Sequence, residues 1–180
     1  MKTALVLFAE GSEELEAVTV VNILRRGCVS VSFAGLTNGV LHGSRGIMLQ
    51  PDTTLDAAVN HEFDMIVLPG GQPGTNHLKA DNRVLQLVKK MSAQGKYVAA
   101  ICAAPSVLAE AGLLTGKRAT SFPTCLDDYP AVMQHMTAVV EDGKLITSRG
   151  PGTAMDFALI LLERLSGAAK RQEVEAGLVR

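Results

Sequence analysis

The chain has 180 residues, of which 47% are hydrophobic and 19% charged, and its formal net charge is −1. This composition excludes extensive disorder and predicts one domain, residues 1–180, with a core of ordinary size. Near-neutral charge and 4% aromatic residues argue against a nucleic-acid-binding surface. Three cysteines without paired spacing predict neither a metal site nor a disulfide framework.

The N-terminal residues lead directly into a strand-like segment and lack the layout of a signal peptide. No apolar run is long enough to span a bilayer. We therefore expect a protein of the reducing cytoplasm, without a membrane partner and without a specific nucleic-acid partner.

Continuous apolar runs alternate with helical patterns along the chain. Residues 4–9 predict a buried strand, and the helix after it is predicted to begin at the N-cap Ser12 and to end at Gly27. This alternation predicts an α/β fold with a mostly parallel sheet, whose ligands bind beyond the carboxyl ends of the strands. Further strands are predicted at 29–36, 63–68 and 97–101, hairpins at 40–49 and 139–146, and helices near 84–91, 105–112, 154–165 and 168–179.

Cys102 is the strongest candidate for a reactive group. It follows the apolar strand 97–101, precedes a helix that begins near Pro105, and has alanines on both sides. Small neighbours are typical of a nucleophile in a sharp strand-to-helix bend, and the helix N-terminus would favour a thiolate. The alternative is a buried, unreactive cysteine.

Two other segments meet the predicted carboxyl edge of the sheet. Gly70 and Gly71 follow a strand and could present backbone N–H groups to an oxyanion or an oxidised sulfur, although an ordinary loop explains them equally well. Glu13, Glu14 and Glu16 lie in the first turn of a helix, where acids usually complement the helix dipole. Glu16 has apolar neighbours, and a buried carboxyl of this kind can stay protonated and donate to a thiolate.

Four segments, in order along nearly the whole chain, carry a family resemblance. With these segments the sequence resembles the ThiJ/PfpI superfamily, in the branch that contains the Parkinson-disease-associated protein deglycase and its bacterial relatives. The segments are Glu10–Glu16, Leu68–Gly71, Ala99–Pro105 and Thr147–Thr153.

The resemblance implies a flavodoxin-like three-layer sandwich and a homodimer that uses the first helix. It implies Cys102 as nucleophile, Glu16 as its hydrogen-bonded carboxyl, and the backbones of Gly71 and Ala103 as donors to an oxyanion. No cofactor is implied. The remaining pocket residues implied by the resemblance are Gly70, Arg45 and Phe122.

Three positions depart from the family pattern. Phe122 stands where the human-like members have a histidine near the cysteine, and Asn22 stands where many members have an aspartate. Ala103 stands where the peptidase-like branch has a histidine. The four histidines of the chain lie in predicted loops or hairpins, and His77 is the one that could approach the site. No role is predicted for Cys28 or Cys125.

Two hypotheses remain open from the sequence. The first is a cofactor-independent glyoxalase and protein deglycase that acts on small 2-oxoaldehydes such as methylglyoxal, and on glycated amines or thiols, under oxidative or carbonyl stress. The alternative is a non-enzymatic redox sensor or chaperone that uses oxidation of the same Cys102. A cysteine peptidase or glutamine amidotransferase is disfavoured, because Ala103 replaces the histidine that such enzymes need.

Overall fold

The computed structural model describes residues 1–179, so Arg180 of the predicted domain lies outside the described residues. The strands are β1 (Thr3–Phe8), β2 (Ser30–Gly35), β3 (Leu41–His42), β4 (Met48–Leu49), β5 (Thr53–Thr54), β6 (Met65–Leu68), β7 (Tyr97–Ile101), β8 (Arg118–Ala119), β9 (Met133–Gln134), β10 (Val139–Asp142) and β11 (Leu145–Ser148). The helices are α1 (Glu14–Arg26), α2 (Leu55–Ala58), α3 (Gly74–Ala80), α4 (Asn82–Ala93), α5 (Pro105–Glu110), α6 (Ala154–Ser166) and α7 (Ala168–Ala176), and a 3₁₀ turn, Pro151–Thr153, precedes α6.

Seven strands form the main sheet, in the order β10-β11-β7-β6-β1-β2-β5. All neighbours are parallel except β10 and β11, which confirms the predicted mostly parallel sheet. Because β1, β6 and β7 are adjacent and run in the same direction, their carboxyl ends meet at one edge of the sheet. The loops that follow these three strands therefore lie side by side.

Helices cover both faces of the sheet, as the alternation of strands and helices predicts. Alternate residues of β1 point to opposite faces, so Ala4, Val6 and Phe8 pack with α1 and α6. Leu5 and Leu7 pack with α2, α3, α4 and α5 on the other face. Since both faces are buried, β1 reads as a continuous apolar run instead of an alternating one.

Two sequence predictions about local structure are wrong. Ser12 does not cap α1: the N-cap residue is Glu13, and the Ser12 hydroxyl instead accepts a hydrogen bond from the backbone N–H of Ala9 at 3.1 Å. This bond closes the turn after β1, so the hydroxyl is already engaged. His77 lies on α3, not in a loop. Both predicted hairpins are present, as β3–β4 and β10–β11.

No helix within residues 1–179 is both long enough and apolar enough to cross a membrane.

Candidate active site

Cys102 lies at the end of β7, in the bend that leads to α5. Its backbone N–H donates to the carbonyl of Ser148 at 3.0 Å, so β11 fixes the bend from the side. Its φ angle is +64°, in the left-handed region that costs energy for any residue with a Cβ. Residue 102 is 8% exposed, which leaves the side chain a narrow opening to solvent. The sharp bend predicted around Cys102 is therefore present.

The Gly70–Gly71 loop passes directly against Cys102. A Cβ at Gly70 would lie 2.6 Å from the Cβ of Cys102 and 2.9 Å from the backbone nitrogen of Ala103, so the backbones approach closely only because residue 70 is glycine. Gly71 has a φ of +83°, which suits glycine. The backbone N–H groups of Gly71 and Ala103 donate toward the Cys102 sulfur, and each lowers the pKa of the thiol.

Glu16 is fully buried in the first turn of α1. Its Oε2 accepts a hydrogen bond from the backbone N–H of Gly70 at 2.8 Å. Its Oε1 has no partner of regular hydrogen-bond geometry, and the thiol of Cys102 is the neighbour that interacts with this carboxyl. Burial raises the pKa of Glu16 to about 7, although the Gly70 and Cys102 hydrogen bonds oppose the rise, and the charge of Glu13 adds to it.

The Cys102 thiol does not have the lowered pKa that the sequence predicts. Burial raises its pKa to about 12, and repulsion from the Glu16 carboxylate adds to the rise, while the Gly71 N–H opposes it. The helix that follows, α5, is only six residues long. Because the repulsion disappears when Glu16 is protonated, a thiolate forms most easily when the carboxyl holds the proton.

A cleft of about 410 Å³ opens above the Cys102 sulfur. Arg45 is exposed at its mouth, and Phe122 forms part of the rim with 48% of its surface exposed. The Phe122 backbone N–H donates to the Cys102 carbonyl at 2.8 Å. Gly70, predicted as a pocket residue, does not line this cleft, because it packs against the Cys102 bend, and Glu16 is buried and does not line it either. The lining residues are Glu13, Ser44, Arg45, Gly71, Gln72, Cys102, Ala103, Phe122, Pro123, Thr124, Cys125 and Pro151.

A larger cleft, of about 520 Å³, lies on the outer side of α1, away from Cys102. Its lining contains neither a cysteine, a histidine nor a carboxylate, so it offers no acid–base chemistry. The residues that line it are Val18, Val21, Asn22, Arg25, Arg26 and Phe33.

Sequence reasoning missed the link between the acids of α1 and the β3–β4 hairpin. Glu13 lies on the cleft wall, where its carboxylate accepts a hydrogen bond from the Ser44 hydroxyl at 2.6 Å. Glu14 accepts from the backbone N–H of Arg45 at 3.0 Å and from that of Ile47 at 3.3 Å. These acids were predicted only to complement the helix dipole. The sequence carries no signal that pairs them with residues 44–47.

The histidines lie elsewhere. Within residues 1–179, no histidine lines the cleft. The ring nitrogen Nδ1 of His77 forms a hydrogen bond with the backbone carbonyl of Glu10 at 2.9 Å. The ring nitrogen Nδ1 of His42 contacts the carboxylate of Glu10 at 3.0 Å. A Cys–His hydrolase arrangement is therefore absent from the described part of the chain. The same residues contain no cluster of three or more histidine, cysteine or acidic side chains suited to a metal ion.

Comparison with known proteins agrees with this architecture. Residues 2–164 match the DJ-1/PfpI family. Protein dj-1beta of Drosophila melanogaster is 43% identical in sequence, over 99% of this chain and 97% of the relative's length. The crystal structure of Drosophila melanogaster DJ-1beta superposes with a TM-score of 0.95 and 42% identity, over 99% of this chain and 97% of the chain in that structure. The glutathione-independent glyoxalase DJR-1.2 of Caenorhabditis elegans is 35% identical over 94% of this chain and 91% of its own.

The chain therefore belongs to the DJ-1/PfpI family, with the flavodoxin-like fold that the resemblance predicted. Full-length identity of about 40% to DJ-1 proteins places it in the DJ-1 branch of that family. The predicted family is thus confirmed.

Proposed function

We propose that this protein is a glutathione-independent glyoxalase that converts methylglyoxal and related small 2-oxoaldehydes to 2-hydroxy acids. The observation that carries the proposal is the Cys102–Glu16 pair, held below a cleft of about 410 Å³ with two backbone N–H groups beside the sulfur. The name of the related Caenorhabditis elegans glyoxalase supports the same reaction.

The first step is addition of the Cys102 sulfur to the aldehyde carbon. Glu16 takes the thiol proton as the carbon–sulfur bond forms, and it then gives the proton to the aldehyde oxygen, which leaves a hemithioacetal. A pKa of about 7 suits this exchange at neutral pH, because the carboxyl accepts and releases a proton with similar ease. The N–H groups of Gly71 and Ala103 stabilise the developing oxyanion.

The second step moves the carbon-bound proton of the hemithioacetal to the neighbouring ketone carbon, through Glu16 as base and then acid, and the hydroxyl proton passes from the first oxygen to the ketone oxygen. The product is a thioester of a 2-hydroxy acid on Cys102, and no external oxidant is needed because the aldehyde is oxidised as the ketone is reduced. Water then hydrolyses the thioester, which releases lactate and restores the thiol. Phe122 contributes no proton transfer in this scheme.

Deglycation follows from the same chemistry. An early adduct of methylglyoxal with an amine or thiol is in equilibrium with the free aldehyde, and attack by Cys102 on the adduct carbon displaces the amine or thiol. Arg45 lies exposed at the mouth of the cleft, where an adduct on a larger molecule would approach.

The test is lactate formation from methylglyoxal in the absence of glutathione. The native protein should form lactate, and both Cys102→Ser and Glu16→Gln should lose most of the rate. Cys28→Ser is the matched control, because Cys28 is exposed and precedes β2 at the opposite edge of the sheet. Absence of lactate above the buffer rate in the native protein would overturn the proposal.

A redox sensor is the second candidate, and the surroundings of the sulfur favour it. The two N–H groups and a protonated Glu16 could all donate to the oxygens of a Cys102 sulfinate. Excess peroxide should then attack Cys102 before any other residue, as measured by peptide mass. Oxidation spread evenly over the three cysteines would exclude this role.

We also propose a homodimer built on α1. Leu15 and Val18 on this helix are 51% and 46% exposed, and Val18 borders the larger apolar cleft together with Val21. An isologous contact would cover these side chains. Sedimentation equilibrium measures the mass directly, and Val18→Asp should shift the protein toward a monomer.

A further inference from the structure

Cys125 shares the active-site cleft with Cys102. Both residues line the same cavity of about 410 Å³, and Cys125 is half-buried in its wall. The sequence predicts no role for Cys125, although it places this residue in a loop near the pocket side. The fold places two of the three cysteines of the chain around one opening.

Two backbone hydrogen bonds connect Cys102 and Cys125 through Phe122, which lies between them. The N–H of Phe122 donates to the carbonyl of Cys102 at 2.8 Å, and the N–H of Cys125 donates to the carbonyl of Phe122 at 3.2 Å. Residues 122–125 thus form one turn that rests on the Cys102 bend. Thr124 within this turn has a φ of +71°. Cys125 is therefore held near Cys102 by a short turn, although the two lie 23 positions apart in the chain.

The setting of Cys125 differs from that of Cys28. Burial raises the pKa of the Cys125 thiol, the positive charge of Lys79 on α3 opposes this rise, and the negative charge of Asp127 adds to it. Cys28 is exposed before β2, at the amino edge of the sheet, whereas Cys102 follows the carboxyl end of β7. The parallel sheet therefore separates Cys28 from the other two cysteines.

We propose that Cys125 is a resolving cysteine, which captures oxidised Cys102 in an intramolecular disulfide. A hydroperoxide transfers one oxygen to the Cys102 thiolate, so that the sulfur becomes a sulfenic acid and the peroxide becomes water or an alcohol. The Cys125 thiolate attacks that sulfur, and hydroxide leaves as water after it takes a proton. The products are one Cys102–Cys125 disulfide and, from hydrogen peroxide, two molecules of water. The peroxide is the sole oxidant.

This inference rests on the reactivity of Cys102 that the proposed function requires. It adds protection of the active site against irreversible oxidation, which the glyoxalase reaction alone does not provide. A sulfinic acid at Cys102 is not reversed by thiols, whereas a disulfide is. Cys125 therefore makes the oxidative loss of activity reversible, and it competes with the second oxygen addition at Cys102.

The experiment treats the full-length native protein and three variants, Cys125→Ser, Cys28→Ser and Cys102→Ser, with about two equivalents of hydrogen peroxide, because a sulfinate consumes two peroxides and a disulfide only one. Intact mass and non-reducing peptide maps follow the products, and lactate formation is measured before oxidation, after oxidation and after dithiothreitol. The native protein and Cys28→Ser should lose two hydrogens in mass, yield the linked Cys102–Cys125 peptide and regain activity with dithiothreitol. Cys125→Ser should instead accumulate sulfinate on Cys102, about tenfold faster than the native protein, without recovery.

Equal rates of sulfinate formation in the native protein and in Cys125→Ser, with no linked peptide, would overturn the proposal. A Cys102–Cys125 link found only between two chains would also overturn it, and non-reducing electrophoresis shows this directly. Lactate formation by the unoxidised samples tests the proposed glyoxalase function separately from the disulfide. If Cys102→Ser retains lactate formation while the native disulfide still forms, the glyoxalase scheme fails and the resolving role stands.

Discussion

The carboxyl of Glu16 and the backbone N–H of Gly70 are joined by a hydrogen bond of 2.8 Å, buried beneath the candidate nucleophile. This bond connects the first turn of α1 to the loop after β6. It fixes one carboxyl oxygen and leaves the other toward Cys102. The site is thus assembled from three loops at one sheet edge, and the position of each depends on the others.

The buried carboxyl should make stability depend on pH. Burial raises the pKa of Glu16 from 4.5 in the unfolded chain to about 7 in the folded protein, so the folded state holds a proton that the unfolded state has already released. The free energy of unfolding should therefore fall as pH rises from about 5 to about 7.5. Denaturant titrations across this range measure the effect. Glu16→Gln should show a shallower decline, and identical slopes for both proteins would contradict the assignment.

Gly70→Ala should damage both the site and the fold. The new Cβ would lie 2.6 Å from the Cys102 Cβ and 3.0 Å from the Ile101 carbonyl oxygen, so the bend must move. We expect a loss of about 1–3 kcal/mol in the free energy of unfolding, and a loss of at least about tenfold in lactate formation. Gly177→Ala is the matched control, because its Cβ would meet the nearest atom at an ordinary 3.4 Å. Native activity in Gly70→Ala would show that the close approach is not required.

Because the backbone of Cys102 is left-handed, we expect glycine at this position to give a protein at least as stable as alanine does, the reverse of the usual order. At an ordinary buried position glycine is about 1 kcal/mol less stable than alanine, but a φ of +64° favours glycine. Urea unfolding should therefore find Cys102→Gly at least as stable as Cys102→Ala, with both inactive. The control pair is native Ala158 and Ala158→Gly, fully buried inside α6, where the helical backbone favours alanine and glycine should lose about 1 kcal/mol. The same loss at both positions would argue against strain at Cys102.

Phe122→His should raise the rate of lactate formation. The aromatic side chain lies half-exposed on the rim of the cleft, while the bond to the Cys102 carbonyl uses only the Phe122 backbone. An imidazole at this place adds a proton donor and acceptor without a change in the bend, and we expect a gain of about three- to tenfold at neutral pH. Phe122→Leu serves as control and should show no gain. An unchanged rate in both variants would mean that side chain 122 is remote from the transferred proton.

The sequence predicted the main elements of the fold well, because each strand at the site reads as a continuous apolar run. Residues 97–101 were predicted as a strand and form β7, and the run 63–68 contains β6. The short elements α2 and α3 were missed, since they are only four and seven residues long and carry little periodicity.

The site was predicted in its residues but not in its electrostatics. Family motifs pointed to Cys102 and Glu16, whose functional roles remain predictions, and the fold brings the two together. The shift of the thiol pKa was predicted in the wrong direction, because the sequence shows the helix that follows but neither the burial of the sulfur nor the carboxyl beside it. The contacts of Glu13 and Glu14 with residues 44–47 depend on tertiary packing, so the local sequence pattern cannot predict them.

The central claim is that Cys102 and Glu16 act as one unit, and a double-mutant cycle on lactate formation from methylglyoxal tests it most directly. The rates of the native protein, Cys102→Ser, Glu16→Gln and the double variant are compared without glutathione. The account predicts a loss of at least about 100-fold in each single variant, and a double variant no slower than the slower of the two. Native-like activity in Cys102→Ser, or losses that multiply in the double variant, would contradict it.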